Sequence, residues 1–501
     1  MADGKVSPGR DQVKSVLVLM GVGILFWIVG SLFLDMDFGF QLKLGEMIVN
    51  QGIPRGNPWS YTMPSYPFVD HEWFLEVVWY KLWPILGMTG LAAIYAASVV
   101  AAMWIVIPEK VRRWGGVAAF LGWGVMMSRF AVRPQVTSWI LTAVVLRWVQ
   151  EPERWRRWRW LFPLLMLVWT NLHGSFLLGI GITGLALGFM AVEKKADAKD
   201  GLVWGLGVLA TFINPYGWRL IWEMMRQVAI AGRVAQYVVE WQPVWMNIDM
   251  GFIGMSVLTV MLWWRYRKRF RPVMVVLAGI FGMSGWLHLR HAVLAVLAMA
   301  PIVTYGCEYL AREASGFSDG KIRWRMFFAV LTGVAGVIFL IETGLALNTA
   351  RLVKKLYYPE EAVKFLEETG YPRQLFASYN WGGYLIWKMP RVELFVDGRM
   401  PSFSWKAPVG SGESDSAITE YSRAITNPDE TEGILAKYGV KTVLWQRQPW
   451  QRLALQEMGL GQWSKWWGWG KEGEEDRFLM RLNELGWKKA YEDGTAVVYF
   501  K

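Results

Sequence analysis

Cysteine is almost absent from this chain: its 501 residues carry a single one, Cys307, inside an apolar stretch. That excludes a disulfide framework and a cysteine-rich metal centre. Charge is also sparse, at 19% of residues against 54% hydrophobic, which excludes an ordinary soluble domain. No small-residue cleavage site follows the first apolar run. The run 15–34 therefore reads as a retained anchor behind a short polar and basic N-terminus, 1–14. The net charge of +12 does not indicate nucleic acid, because the basic residues sit in short loops between apolar runs, as membrane insertion requires. The Gly382-Gly383 pair is not followed by a phosphate-loop pattern, so a nucleotide site is unsupported there.

What the chain has in quantity is apolar length. Runs near the roughly 20 residues needed to cross a hydrocarbon core fall at 15–34, 88–107, 115–129, 136–150, 158–172, 175–192, 202–214, 251–264, 272–287, 291–309 and 326–347. The expected fold class is a mainly α polytopic membrane protein, 15–347, with about 11 transmembrane helices and a small C-terminal α/β domain, 348–501. With the N-terminus inside, the strongly basic loops share one side: Lys110, Arg112 and Arg113; Arg154, Arg156, Arg157 and Arg159; Lys194, Lys195 and Lys199; Arg265 to Arg271; and Arg312 to Arg325. An odd number of spans then places the C-terminal domain outside. Counting 73–86 as a span would put the first two basic loops outside, against the positive-inside rule. With Glu76, Lys81 and interleaved aromatics it reads instead as an interfacial helix, as does 38–50.

The first outer loop, 35–87, concentrates Asp35, Asp37, Glu46, Asp70, His71 and Glu72 at a membrane surface. The same topology brings all four histidines (His71, His173, His288, His291) to outer ends of spans, together with Arg129, Arg133, Glu240 and Arg290. Ionisable groups at such depths are costly and are functional candidates; the competing reading is interfacial anchors and caps. Arg147, near an inner end, reads as a snorkelling side chain. The 33 tryptophans fit interfacial belts and sugar stacking equally.

Beyond 348 the composition becomes mixed. A helix is expected from Pro359, with acidic residues in its first turn. Strand-like runs at 374–378, 392–396, 442–446 and 496–500 alternate with helical patterns at 418–425 and 430–437, which predicts a small α/β domain.

These residues carry a resemblance to the GT-C class of membrane glycosyltransferases, the polyprenyl-phosphate-dependent group that includes mannosyl-, aminoarabinosyl- and oligosaccharyltransferases. Members follow the first span with Asp-x-Asp or Asp-Glu on an interfacial helix. Counting from Asp37, Gly45, Glu46, Gly52 and Ile53-Pro54 match the recurring pattern. By that register Asp37 corresponds to the catalytic aspartate, and Asp35 completes an Asp-x-Asp. Where the aminoarabinose and mannose transferases show Lys-Pro-Pro-Leu, this chain has Val69-Asp70-His71-Glu72-Trp73. A second resemblance links Tyr379-Asn380-Trp381-Gly382-Gly383-Tyr384, followed by Phe395-Val396-Asp397-Gly398-Arg399, to the Trp-Trp-Asp-Tyr-Gly acceptor motif of oligosaccharyltransferases. Asn380 replaces its acidic residue, so peptide binding is not carried over. The bland alternative is a buried turn with glycine for backbone geometry.

The resemblance implies an inverting glycosyltransferase of the cell envelope, integral to the plasma (inner) membrane. It would move a sugar from a polyprenyl-phosphate-linked donor to a glycan, lipid or protein acceptor at the outer face. Asp37 would be the general base, assisted by Asp35. Arg129, Arg133, Arg290, His288 and His291 would hold the donor phosphate. Asn380, Trp381, Asp397 and Arg399 would meet the acceptor. A divalent metal (Mg or Mn) on Asp35, Asp37, Asp70, His71 and Glu72 is compatible with the residues but not required. Competing readings are a ligase or polymerase of lipid-linked glycan, and a non-catalytic transporter or scaffold.

Overall fold

A computed structural model describes residues 8–235, 237–246, 248–314, 320–372, 374–403, 405–448 and 474–501. The first seven residues of the expected cytoplasmic N-terminus lie outside the described residues, as do the side chains of Lys321, Arg323 and Arg325. The chain divides into two compact units, one of 1–32 with 83–348, the other of 33–82 with 349–501. The first outer loop thus groups with the C-terminal region and not with the membrane helices that flank it in sequence.

The first unit is helical. Among the described residues, four helical stretches are long and apolar enough to cross a membrane: Val13–Leu32, Trp73–Val106, Leu289–Glu313 and Met326–Thr369. Gly116–Met127, Gln135–Val149, Phe176–Val192 and Pro272–Leu287 are shorter apolar helices. The other expected spans also fall on helices, Phe162–Leu172, Ala198–Ala210 and Met250–Tyr266. Length and composition therefore establish a polytopic helical unit, not the count of about eleven crossings. Ala292–Ala314 packs against Pro272–Leu287, Met250–Tyr266 and Gly116–Met127. Small residues let those helices close: a Cβ on Gly285 would lie 3.1 Å from the Ala295 Cβ, and one on Gly282 2.7 Å from the Met299 methyl. Ile24, Ile94, Val260, Ile280 and Leu345 are exposed, as lipid-facing side chains are.

The helical stretch Trp73–Val106 contains the expected interfacial segment and the following span. Gly87 breaks it with φ 54°, a left-handed value that favours glycine, so 73–86 and 88–106 are two helices end to end.

The second unit is built on a five-stranded mixed sheet. Its strands are β1 (Gln374–Ala377), β2 (Glu393–Leu394), β3 (Thr442–Gln446), β4 (Lys488–Glu492) and β5 (Ala496–Phe500), in the order β2-β1-β3-β5-β4. β1 runs parallel to β2 and β3, while β5 is antiparallel to β3 and β4. The helices Glu360–Thr369, Ala417–Thr426 and Pro428–Lys437 match the sequence expectation, which lacked β4. The outer loop is stitched to the sheet edge. The Leu394 amide donates to the Trp59 carbonyl at 2.8 Å, and Thr62 Oγ1 donates to the Phe395 carbonyl at 2.7 Å. Tyr66 stacks on Phe403 with centroids 4.0 Å apart.

Candidate active site

The acidic pair starts the interfacial helix Phe38–Gln51. Asp35 is buried, and its Oδ1 accepts from the Asp37 amide at 3.1 Å, a local turn that fixes the chain entering the helix. Asp37 stands at the N-cap with its side chain making no capping bond to that helix. A carboxylate there is favoured by the helix dipole.

That side chain is met by the C-terminal region. A Cβ on Gly398 would run into Asp37 Oδ1. A Cβ on Gly383 would run into the Met36 carbonyl, and one on Gly39 into the Gly383 carbonyl. Gly382 is equally constrained, its Cβ position lying 2.6 Å from the Asp397 Cβ. The glycines of the 379–384 and 395–399 motifs thus let three backbone segments close around the start of the helix. Any side chain at these positions would push them apart. The segment 379–381 is a short helical turn between β1 and the helix Gly382–Lys388, with Trp381 buried and its Nε1 donating to the Tyr357 carbonyl at 2.8 Å. Asn380 is half-buried on that turn. Burial, with the nearby charge of Asp37, pushes the Tyr379 hydroxyl up to about 12. Tyr379 opens the motif read in the sequence, where it was not placed among the candidate site residues.

Asp397 and Arg399 form a buried two-pronged pair, Nε to Oδ1 at 2.9 Å and Nη2 to Oδ2 at 2.7 Å. Arg399 Nη2 also donates to Asn57 Oδ1 at 2.7 Å, and the guanidinium is ringed by Phe40, Trp59 and Phe68. A buried pair so enclosed fixes position: it holds Gly398 against Asp37 and ties the outer loop to the domain.

The five proposed metal ligands do not form one set. Asp35 Oδ1 accepts from the Asp37 amide, and Asp70 Oδ1 from the Glu72 amide at 2.9 Å. His71 and Glu72 have ligand atoms close enough to share an ion, with Nε2 and Oε1 3.5 Å apart. Glu72 also accepts from Gln41 Nε2 at 2.8 Å. Imidazole and carboxylate together suit a divalent transition metal better than Mg.

The helical unit gathers the expected cations, but in company. Arg129 is buried and donates to Asp249 Oδ2 at 2.6 Å and to the Leu289 and Val125 carbonyls at 2.9 Å. Arg133 pairs with Glu240 at 2.5 Å. Burial alone would raise the Glu240 carboxyl; the guanidiniums of Arg133, Arg290 and Arg129 hold it below its ordinary value. Arg290 lies over the Trp241 ring at 4.6 Å and donates to Gln135 Oε1 at 3.3 Å. His288 Nδ1 donates to the Trp241 carbonyl at 2.8 Å, and His291 Nδ1 lies 2.7 Å from Ser284 Oγ. The two imidazoles and the Trp241 ring stack edge to face around one another. All five predicted donor-phosphate residues therefore converge, around Trp241 and Asp249, neither of which the sequence reading had singled out. His173 is separate, bonded to Ser138 and Ser175.

No protein-family model matches the sequence, and no curated protein matches it. Solved structures do. The oligosaccharyltransferase of Archaeoglobus fulgidus, tethered with an acceptor peptide containing the NVT sequon, matches with a TM-score of 0.53 at 13% identity, over 85% of this chain and 68% of that one. Its apo form gives 0.51 at 12%, over 86% and 69%. ArnT from Cupriavidus metallidurans, bound to undecaprenyl phosphate, aligns over 97% of this chain and 98% of that one at 13% identity, with a TM-score of 0.49 that is too loose to argue from. The first two show that the chain shares the fold of that archaeal protein, in keeping with the resemblance in its sequence.

Proposed function

We propose that the protein is a multi-pass membrane glycosyltransferase. It takes a sugar from a polyprenyl-phosphate-linked donor and transfers it to an acceptor at the outer face, with the N-terminus cytoplasmic, about eleven crossings and the C-terminal domain outside. The observation that carries this is Asp37. It is a carboxylate at a helix N-terminus whose side chain does not cap its own helix, and it lies against Gly398, where a Cβ would displace its Oδ1. The shared fold supports it.

Asp37 takes the proton from the acceptor hydroxyl or amine as the acceptor lone pair forms a bond to the anomeric carbon. The bond from that carbon to the phosphate oxygen breaks, its electron pair leaves with the polyprenyl phosphate, and the configuration inverts. Asp35 positions Asp37 through its amide. Arg290, His288 and His291 bind the donor phosphate with Arg133, since charge developing on the departing oxygen needs cationic donors in place. Arg129 serves as their scaffold. Asn380 and Trp381 lie on the acceptor side. A divalent metal on His71 and Glu72 would add electrostatic stabilisation of the phosphate when bound.

Membranes carrying the protein, supplied with radiolabelled sugar on a polyprenyl phosphate, should move label into an acceptor fraction. Failure to bind any lipid-linked sugar would instead support a transporter or scaffold.

A further inference from the structure

At another edge of the helical unit, three arginines surround a cavity of about 420 Å³. Arg147 is buried within the helix Gln135–Val149, while Arg112 and Arg154 come from the short helices Glu109–Trp114 and Pro152–Trp158 that follow two apolar helices. Arg147 and Arg154 both reach one oxygen of Glu109, at 2.5 and 3.0 Å. Glu151 stands 3.8 Å from Arg147. Three guanidiniums against two partly exposed carboxylates leave positive charge over. Burial, with the neighbouring Arg147 and Arg154, lowers Arg112 from its ordinary value against the pull of Glu109. Arg112 Nη2 donates to the Trp104 carbonyl at 3.1 Å and Arg147 Nη1 to Gln150 Oε1 at 3.2 Å, which anchors both guanidiniums in the cavity wall.

The remaining wall is apolar and aromatic: Trp104, Trp148, Trp158, Ile105 and Val144. Arg112 packs its guanidinium over Trp104 at 3.9 Å. Tryptophan with arginine at the ends of apolar helices is the composition of a headgroup-level site. A free inorganic anion would satisfy the donors but would leave that hydrocarbon wall uncovered. An amphiphile answers both requirements.

We infer that this cavity binds an anionic phospholipid, its phosphate diester paired with the surplus positive charge of the Arg112, Arg147 and Arg154 guanidiniums and its upper acyl chain lying along Trp104, Ile105 and Val144. The site lies wholly within the helical unit and does not depend on the proposed sugar transfer. In the proposed topology it opens at the inner leaflet.

The full chain would be placed in nanodiscs of mixed phosphatidylglycerol and phosphatidylcholine, and the lipids retained on detergent release counted by native mass spectrometry. Wild type should retain phosphatidylglycerol preferentially. The double variant R112Q/R154Q should lose that preference by roughly fivefold per arginine removed, with thermal unfolding in plain detergent unchanged. Arg147 is left intact because removing it would strand Glu109. Equal retention of the two lipids by wild type overturns the inference, and that comparison decides even if the double variant does not fold. Protection from unfolding by inorganic phosphate as strong as that by phosphatidylglycerol also overturns it, assigning the cavity to a free anion.

Discussion

The helix Phe38–Gln51 begins on an aspartate whose side chain does not cap its own first turn, while in the helical unit Arg129 and Arg133 are each bound to a carboxylate, Asp249 and Glu240. At the acidic edge, backbone shape holds the carboxylate: glycines at 39 and 383 permit a backbone approach that a side chain would block, and Gly398 lies against Asp37 Oδ1. In the basic cluster, charge pairing does the holding. The difference is between a carboxylate placed by backbone shape and guanidiniums placed by charge pairing. In the proposed function Asp37 acts on the acceptor. Arg129, which sequence alone placed beside Arg290 as a phosphate ligand, is proposed as a scaffold for the other cations.

Substitutions sharpen that contrast. Arg129→Ala leaves Asp249 as a buried charge without its guanidinium and should cost about 3–5 kcal/mol of stability, read as a lowered melting temperature of the purified protein. Loss of donor binding with no change in melting would break the scaffold reading. Gly383→Ala forces the Met36 backbone to move and should cost about 1–3 kcal/mol, with transfer activity lost along with it; an unaffected enzyme would mean that the close approach does not matter. Arg290→Gln should raise the donor KM roughly tenfold, the scale of one charged hydrogen bond, and leave melting unchanged.

The smallest effect concerns pH. Glu240 is held below its ordinary value, so the Arg133–Glu240 pair contributes in full above the unfolded glutamate value near about 4.3 and is lost as pH falls through the lower folded value. The half-exposed pair should contribute under about 1 kcal/mol. Glu240→Gln should flatten that part of an acid unfolding profile.

The sequence made the apolar helices legible through their length, and the interfacial helix 38–50 through its position after the first span. Four of five strands were readable because their apolar residues pack into the sheet. β4 was not, since Lys-Lys-Ala-Tyr-Glu is an exposed edge strand with no buried face to pattern it. The helix Trp218–Ala229 was missed because its apolar residues form stripes and not a run, with Leu220 and Met224 buried on one face and Trp218, Trp222, Met225 and Val228 exposed on another. At the site, Asp37 and the convergence of Arg129, Arg133 and Arg290 could be anticipated from topology. The pairing of Arg129 with Asp249 across 120 residues could not, because it is decided by tertiary packing. Gly383 and Gly398 were visible, but their purpose emerged only where they meet the first loop.

The account stands most directly on Asp37. Purified wild type and Asp37→Asn, matched for melting temperature, should be given the same labelled polyprenyl-phosphate sugar and acceptor membranes. Removal of a general base predicts a loss of transfer of roughly 10²–10⁴-fold with donor binding retained. Transfer at the wild-type rate by Asp37→Asn would contradict the account.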